Sequence, residues 1–205
     1  MHYSTDYVFD GRGSRPYRED DPTSPLGVYG ASKLAGEQAI RNSDARHMIF
    51  RTAWVYAAHG KNFLLTMLRL AKERNELRVV GDQVGTPTPA ALIADVTAAI
   101  LQQPFRQSGL WNLTAEGKTN WHGFAQAIIE GAVELGLVAH APRVTEITTA
   151  EYRTPAARPA YSVLDTARLR QEFGVELPQW RDGLRRTLSA VTEKINLERS
   201  CAPPS

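Results

Sequence analysis

The chain has 205 residues, 42% of them hydrophobic, enough to bury a core as one domain or a domain with an added lobe, so disorder is not the expectation. The 24 basic and 22 acidic side chains leave a net charge of +2 and no dense cationic stripe, which argues against a nucleic-acid partner. The single cysteine, Cys201, rules out an intrachain disulfide and favours a reducing, cytoplasmic setting; the N-terminus shows no signal-peptide pattern, and the longest apolar stretch, 90–101, is too short to span a membrane.

In chain order, Met1–Ser4 reads as the tail of a strand. Thr5–Pro25 follows as a polar loop punctuated by Gly11, Gly13, Pro16, Pro22 and Pro25. A helix is predicted over Val28–Arg41, with Leu34, Ala35 and Ile40 on its apolar side and Glu37 exposed. His47–Val55 has the continuous apolar, β-rich character of a buried strand, and Asn62–Arg74 that of a helix burying Phe63, Leu64, Met67, Leu68 and Ala71. Leu77–Val80 reads as a strand, Gly85–Pro89 as a rigid connector and Ala90–Gln102 as a helix. Leu110–Leu113 is the next strand and Trp121–Leu137 the next helix; Val144–Ile147 is a strand, Trp180–Ile195 a closing amphipathic helix, and 201–205 a frayed tail. Alternating strands and helices favour an α/β fold, and no internal repeat is present.

Tyr29 and Lys33 form Y-x-x-x-K, and a four-residue step on a helix places both side chains on one face, a turn apart. An ammonium beside a phenol favours the phenolate, which suits the phenol to general acid–base work, and the same lysine could reach the ribose of a nicotinamide cofactor. Alone, the pair reads equally well as an exposed helix pair. Thr5 ends the first strand, where open α/β sheets bind ligands, so its hydroxyl could bond a substrate carbonyl or simply close a strand.

Y-S-T-D-Y-V-F-D-G, S-P-L-G-V-Y-G-A-S-K-L-A-G-E and F-R-T-A-W-V-Y, followed in order by G-K-N-F, D-Q-V-G-T-P-T, W-H-G-F-A, A-R-P-A-Y-S and L-P-Q-W, resemble the extended short-chain dehydrogenase/reductases over nearly the whole chain. The resemblance implies the C-terminal part of a Rossmann-like, doubly wound parallel sheet with a smaller mixed α/β substrate-binding lobe. Residues 1–56 would be the remaining second half of the dinucleotide-binding core with its catalytic helix, 57–198 the interleaved substrate-binding lobe and last core elements, and 199–205 a tail.

It further implies reduction of a dTDP-sugar, dTDP-4-dehydro-L-rhamnose, to dTDP-L-rhamnose with NADPH or NADH. Tyr29 would donate the proton, Lys33 would activate the phenol and contact the cofactor ribose, and Thr5 would bond the ketone. Asp6 and Trp54 would contact the sugar, although Trp54 fits a core position equally well. Arg158 would meet the diphosphate, or stand as a solvated loop arginine. Asn62 and the Gly85–Thr88 turn would be scaffolding near the pocket, with a contact role as the alternative. A 4,6-dehydratase of the family usually carries adjacent Asp and Glu after the threonine, whereas Asp6 is followed here by Tyr7.

The family's glycine-rich phosphate turn has no counterpart, because Gly11 and Gly13 lie in a Pro-rich loop that opens no helix. The chain is therefore expected to be an N-terminally truncated form, starting at the fifth strand, with an exposed sheet edge, weak cofactor binding and little turnover. That feature favours the alternative of a non-catalytic regulatory protein with a reductase fold, resembling the regulatory subunit of methionine adenosyltransferase; the Thr5, Tyr29 and Lys33 set favours the enzyme. Mg2+ at a homodimer contact occurs in the family, but Ala90-Ala91 stands where an acidic ligand is expected and no site is identified.

Overall fold

The computed structural model describes residues 1–104, 107–152 and 156–200. Three parallel strands form the first layer: β1 (His2–Thr5), β2 (Met48–Thr52) and β7 (Gly109–Asn112), in the order β1-β2-β7, with Thr5 opposite Thr52 and Arg51 opposite Asn112. Parallel neighbours need crossover connections, and these carry helices α1 (Val28–Arg41) and α3 (Ala90–Leu101). All five residues of β2 are buried, as a strand covered on both faces requires.

On one side Met48 and Phe50 pack with Trp111, Leu113 and α3's Ile93, Val96 and Ile100. The α1 side differs from expectation. Its buried residues are Gly30 and Glu37; Ala35 is exposed, and Leu34 and Ile40 are only half-buried. Glu37, expected in solvent, is 1% exposed because the Arg51 guanidinium of β2 meets its carboxylate with two charge-assisted bonds of 2.7 and 2.9 Å.

The second layer is built on a parallel pair, β4 (Glu76–Val80) and β9 (Arg143–Ile147), with helices α2 (Phe63–Glu73), α4 (Trp121–Glu134) and α6 (Trp180–Ser200). Asn62 caps α2 by accepting from the Leu65 amide at 3.1 Å, and also donates to the Ala57 and His59 carbonyls, which makes it the scaffolding it was expected to be. Leu64, Met67, Leu68 and Ala71 then point into a core shared with Leu77, Phe124, Ile128, Leu184 and Leu188. Leu92 of α3 packs against both this core and the sheet-side one.

Two short ladders join the layers. β3 (Val55–Tyr56) pairs with β6 (Thr88–Pro89), and β5 (Val84–Gly85) pairs with β8 (Thr119–Asn120), so the expected connector at 85–89 contributes to both. Helix α4 stops at Glu134, short of the expected Leu137, and α6 continues past Ile195 to Ser200. An unexpected helix, α5 (Ala167–Phe173), buries Leu169 and ends at Gly174, whose φ of 64° suits a residue without a Cβ. The tail at 201–205, with Cys201, lies outside the described residues. The mixed α/β architecture with parallel sheets is the expected class, and no described helix is long and apolar enough to cross a membrane.

Candidate active site

The carboxyl end of β1 turns directly into a 3-10 turn over Asp6–Val8. Thr5, extended and 5% exposed, caps it: its hydroxyl accepts from the Tyr7 amide at 3.2 Å and donates to Asp6 Oδ1 at 3.0 Å. Asp6 is 2% exposed, and its second oxygen, Oδ2, has no hydrogen-bond partner. Burial pushes this carboxyl up to about 7, against the opposing pull of the Ser162 hydroxyl, which lies near but outside hydrogen-bond geometry, of the bonded Thr5 hydroxyl and of the nearby backbone amides. The neighbouring Tyr7 phenol is pushed up to about 12, first by burial and then by the Asp6 charge, with Arg158 pulling the other way.

Helix α1 docks its first turn on this 3-10 turn. The approach is so close that a Cβ at Gly30 would strike the Tyr7 carbonyl, so only glycine fits there. The result places the Tyr29 ring edge-on to the Tyr7 ring, centroids 6.1 Å apart, while Tyr29 itself stays 58% exposed. One turn on, Lys33 Nζ donates to the Tyr3 carbonyl of β1 at 2.5 Å. Thr5, Asp6, Tyr29 and Lys33 are thus gathered around the end of β1.

Trp54 lies just beyond β2, whose last residue is level with Thr5. Among the described residues it alone is a non-glycine with positive φ, 47°. A left-handed backbone at so bulky a residue costs about 1–3 kcal/mol. Its indole stacks on that of Trp121, with centroids 3.7 Å apart and planes 7° from parallel, a contact that contributes about 0.5–1.5 kcal/mol. The stack offsets part of that strain, and a bond from the Thr88 amide to the Trp54 carbonyl, 3.2 Å, also holds the segment. Gly85 is required beneath, since a Cβ there would come within 2.5 Å of the Trp54 ring. The Thr86 and Thr88 hydroxyls bond to backbone carbonyls, so this turn is scaffolding for the indole.

Arg158 is exposed and lines an open groove of about 550 Å³ together with Tyr7, Trp121, Arg74, Arg78 and Tyr152. The groove runs along residues of α2 and β4 from Tyr7 and carries three guanidinium groups, of which Arg78 is paired with Glu151 at 3.3 Å. Arg158, expected either at the diphosphate or as a solvated loop arginine, is exposed on this groove, and Trp121, Tyr7 and the Glu37–Arg51 pair were not expected from the sequence. Among the described residues no group of three or more His, Cys, Asp or Glu side chains converges on a metal position, and Ala90 and Ala91 offer no ligand.

Residues 1–193 match the family described as RmlD substrate binding domain. A dTDP-4-dehydrorhamnose reductase of Burkholderia thailandensis is 51% identical over 190 residues, which cover 88% of this chain and 64% of that protein. The reductase of Escherichia coli K12 is 47% identical over 194 residues, covering 93% of this chain and 65% of the relative. Among solved structures, dTDP-4-dehydrorhamnose reductase from Bacillus anthracis in complex with NADP superposes with a TM-score of 0.85 at 35% identity, covering 92% of this chain and 64% of that one. The protein of that name from Clostridium acetobutylicum gives 0.84 at 36% identity, covering 93% and 65%. The chain spans a little under two thirds of the length of these relatives, and over that span it belongs to the RmlD substrate-binding domain family.

Proposed function

We propose that the chain carries the proton-delivering and sugar-nucleotide-binding machinery of a reductase that converts dTDP-4-dehydro-L-rhamnose to dTDP-L-rhamnose. The observation that carries this reading is the convergence of Thr5, Asp6, Tyr29 and Lys33 on the end of β1, beside a groove rich in arginine. The names of the relatives, and NADP in the B. anthracis neighbour, support the same choice of substrate and cofactor.

NADPH or NADH, when bound, supplies the hydride that reaches C4 of the sugar ketone. The residues present fit such a group at the open Tyr29–Lys33 edge. Tyr29 is solvent-facing, and the Lys33 ammonium spends one N–H on Tyr3 and keeps two for a ribose hydroxyl and the phenol. Tyr29 Oη gives its proton to the forming alkoxide. Thr5 Oγ1 turns its proton from Asp6 Oδ1 to the same oxygen and stabilises the charge that develops there. Asp6 and Trp54 hold the sugar ring, and Arg158 with Arg74 faces the diphosphate, where a guanidinium fork matches the phosphate oxygens. A boundary near residue 56, a homodimer and a cytoplasmic location belong to the same proposal. No step passes through a metal.

The test follows loss of reduced-nicotinamide absorbance with dTDP-4-dehydro-L-rhamnose, for this chain and for a form extended upstream through a glycine-rich segment. Turnover by the extended form, reduced about a hundredfold or more by Tyr29→Phe, is the expected result. An extended form that binds cofactor and stays inert would instead favour a regulatory protein built on a reductase fold.

A further inference from the structure

The strained tryptophan raises a question the proton-delivery scheme does not answer: what holds the Trp54 indole in place against its own backbone. The Thr88–Trp54 bond fixes only the carbonyl. Gly85 supplies clearance, which permits the ring position without enforcing it. The near-parallel face of Trp121 at 3.7 Å is the contact that selects one orientation of the ring.

Trp121 is itself firmly seated. It opens α4 directly after the cap Asn120, which accepts from the Gly123 amide at 2.6 Å and donates to the Gly81 carbonyl at 2.7 Å. Phe63 of α2 packs against it at 4.7 Å. Its indole nitrogen is buried without a partner, so the ring is not held there by a hydrogen bond of its own. Trp121 also lines the arginine-bearing groove assigned to the nucleotide, so the ring stacked on Trp54 borders that site.

We infer that Trp121 is a positioning residue: its stacked indole locks Trp54 in the position from which the part of the ring left open by Trp121 and Gly85 meets the sugar of the bound nucleotide. The inference rests on the sugar-binding reading of Trp54. It makes the sugar's share of the affinity depend on a residue that reaches the sugar only through another side chain.

The experiment uses the chain as it stands and needs no turnover. Calorimetry measures binding of dTDP and of dTDP-L-rhamnose, and the ratio of the two affinities isolates the sugar. Circular dichroism reports the exciton couplet of the stacked indoles. Trp121→Ala should cut the sugar ratio by about three- to tenfold. Trp121→Phe, which keeps a ring to stack on but loses the indole–indole couplet, should restore most of it. Trp54→Ala should match Trp121→Ala, and the double variant should be no worse than either, because both act through the Trp54 ring.

Additive losses in the double variant, a sugar ratio untouched by Trp121→Ala, or a wild-type chain without the couplet would each overturn the inference while leaving the sugar site standing. A wild-type chain that binds dTDP-L-rhamnose no more tightly than dTDP would overturn the reading of the sugar site, and the inference with it.

Discussion

Asp6 is only 2% exposed, with one oxygen bonded to Thr5, and this has a measurable thermodynamic consequence. Its carboxyl rises from 3.8 to about 7 on folding, chiefly through burial. Between those values the folded chain holds a proton that the unfolded chain has released, so stability falls as pH rises. The contribution is present in full below about pH 4 and is lost by the time pH passes about 7, a difference of a few kcal/mol. Asp6→Asn, which keeps the shape and removes the titration, should flatten that part of the pH profile in urea unfolding. Equal slopes in the two proteins would mean that Asp6 is ionised in the fold at ordinary carboxylate pH. Thr5, Tyr29 and Lys33 were legible in the sequence because their placement follows local rules, a strand end and an i, i+4 step. Trp121 was not, because its partner Trp54 lies 67 positions away and only the tertiary fold brings the two rings together.

Helix α1 shows why charge alone misleads at the level of the element. A glutamate between Gly36 and Gln38 reads as a solvent-facing residue, since unpaired acidic side chains are almost never fully buried. What reverses this is Arg51, the fourth residue of the buried MIFRT strand, with its guanidinium 5.0 Å from the centre of the Phe9 ring and donating to the Glu19 carbonyl. Glu37 shares α1 with Tyr29 and Lys33, so the pair pins the helix that carries the proposed proton donor to the centre of the sheet. Removing one member leaves a charge buried at 3% side-chain exposure or less. Glu37→Ala or Arg51→Ala should therefore cost about 3–5 kcal/mol in chemical denaturation, whereas replacing both by methionine should recover most of the loss. Single variants within about 1 kcal/mol of wild type would contradict a buried ion pair. The missed helix α5 had a readable signal, Leu169 and Phe173 four apart with Gly174 closing the turn; the two-residue ladders at 84–85 and 119–120 had none, since so short a pairing leaves no periodicity.

For the molecule as a whole, the two apolar cores decide whether sheet and helical layer melt as one body. The sheet-side core contains Trp111 and the helix-side core Trp180, and Leu92 on α3 touches both. The site depends on that connection: Thr5, Tyr29 and Lys33 belong to the sheet layer, Trp121 and Arg74 to the helical one, and Trp54 sits where the chain crosses between them. The alternation of strands and helices made the α/β class legible, but not which side chain would join the layers, because Leu92 looks like any other apolar residue of its helix. In Trp111→Phe, tryptophan emission comes only from Trp54, Trp121 and Trp180, while far-ultraviolet circular dichroism follows the whole backbone. A single cooperative body requires the two signals to change at the same urea concentration. Leu92→Ala in that background, at a half-buried position, should lower the stability read by both signals by about 1–2 kcal/mol and keep them coincident. Transitions that separate already in Trp111→Phe, with Leu92 intact, would show that the layers fold independently and that Leu92 does not join them.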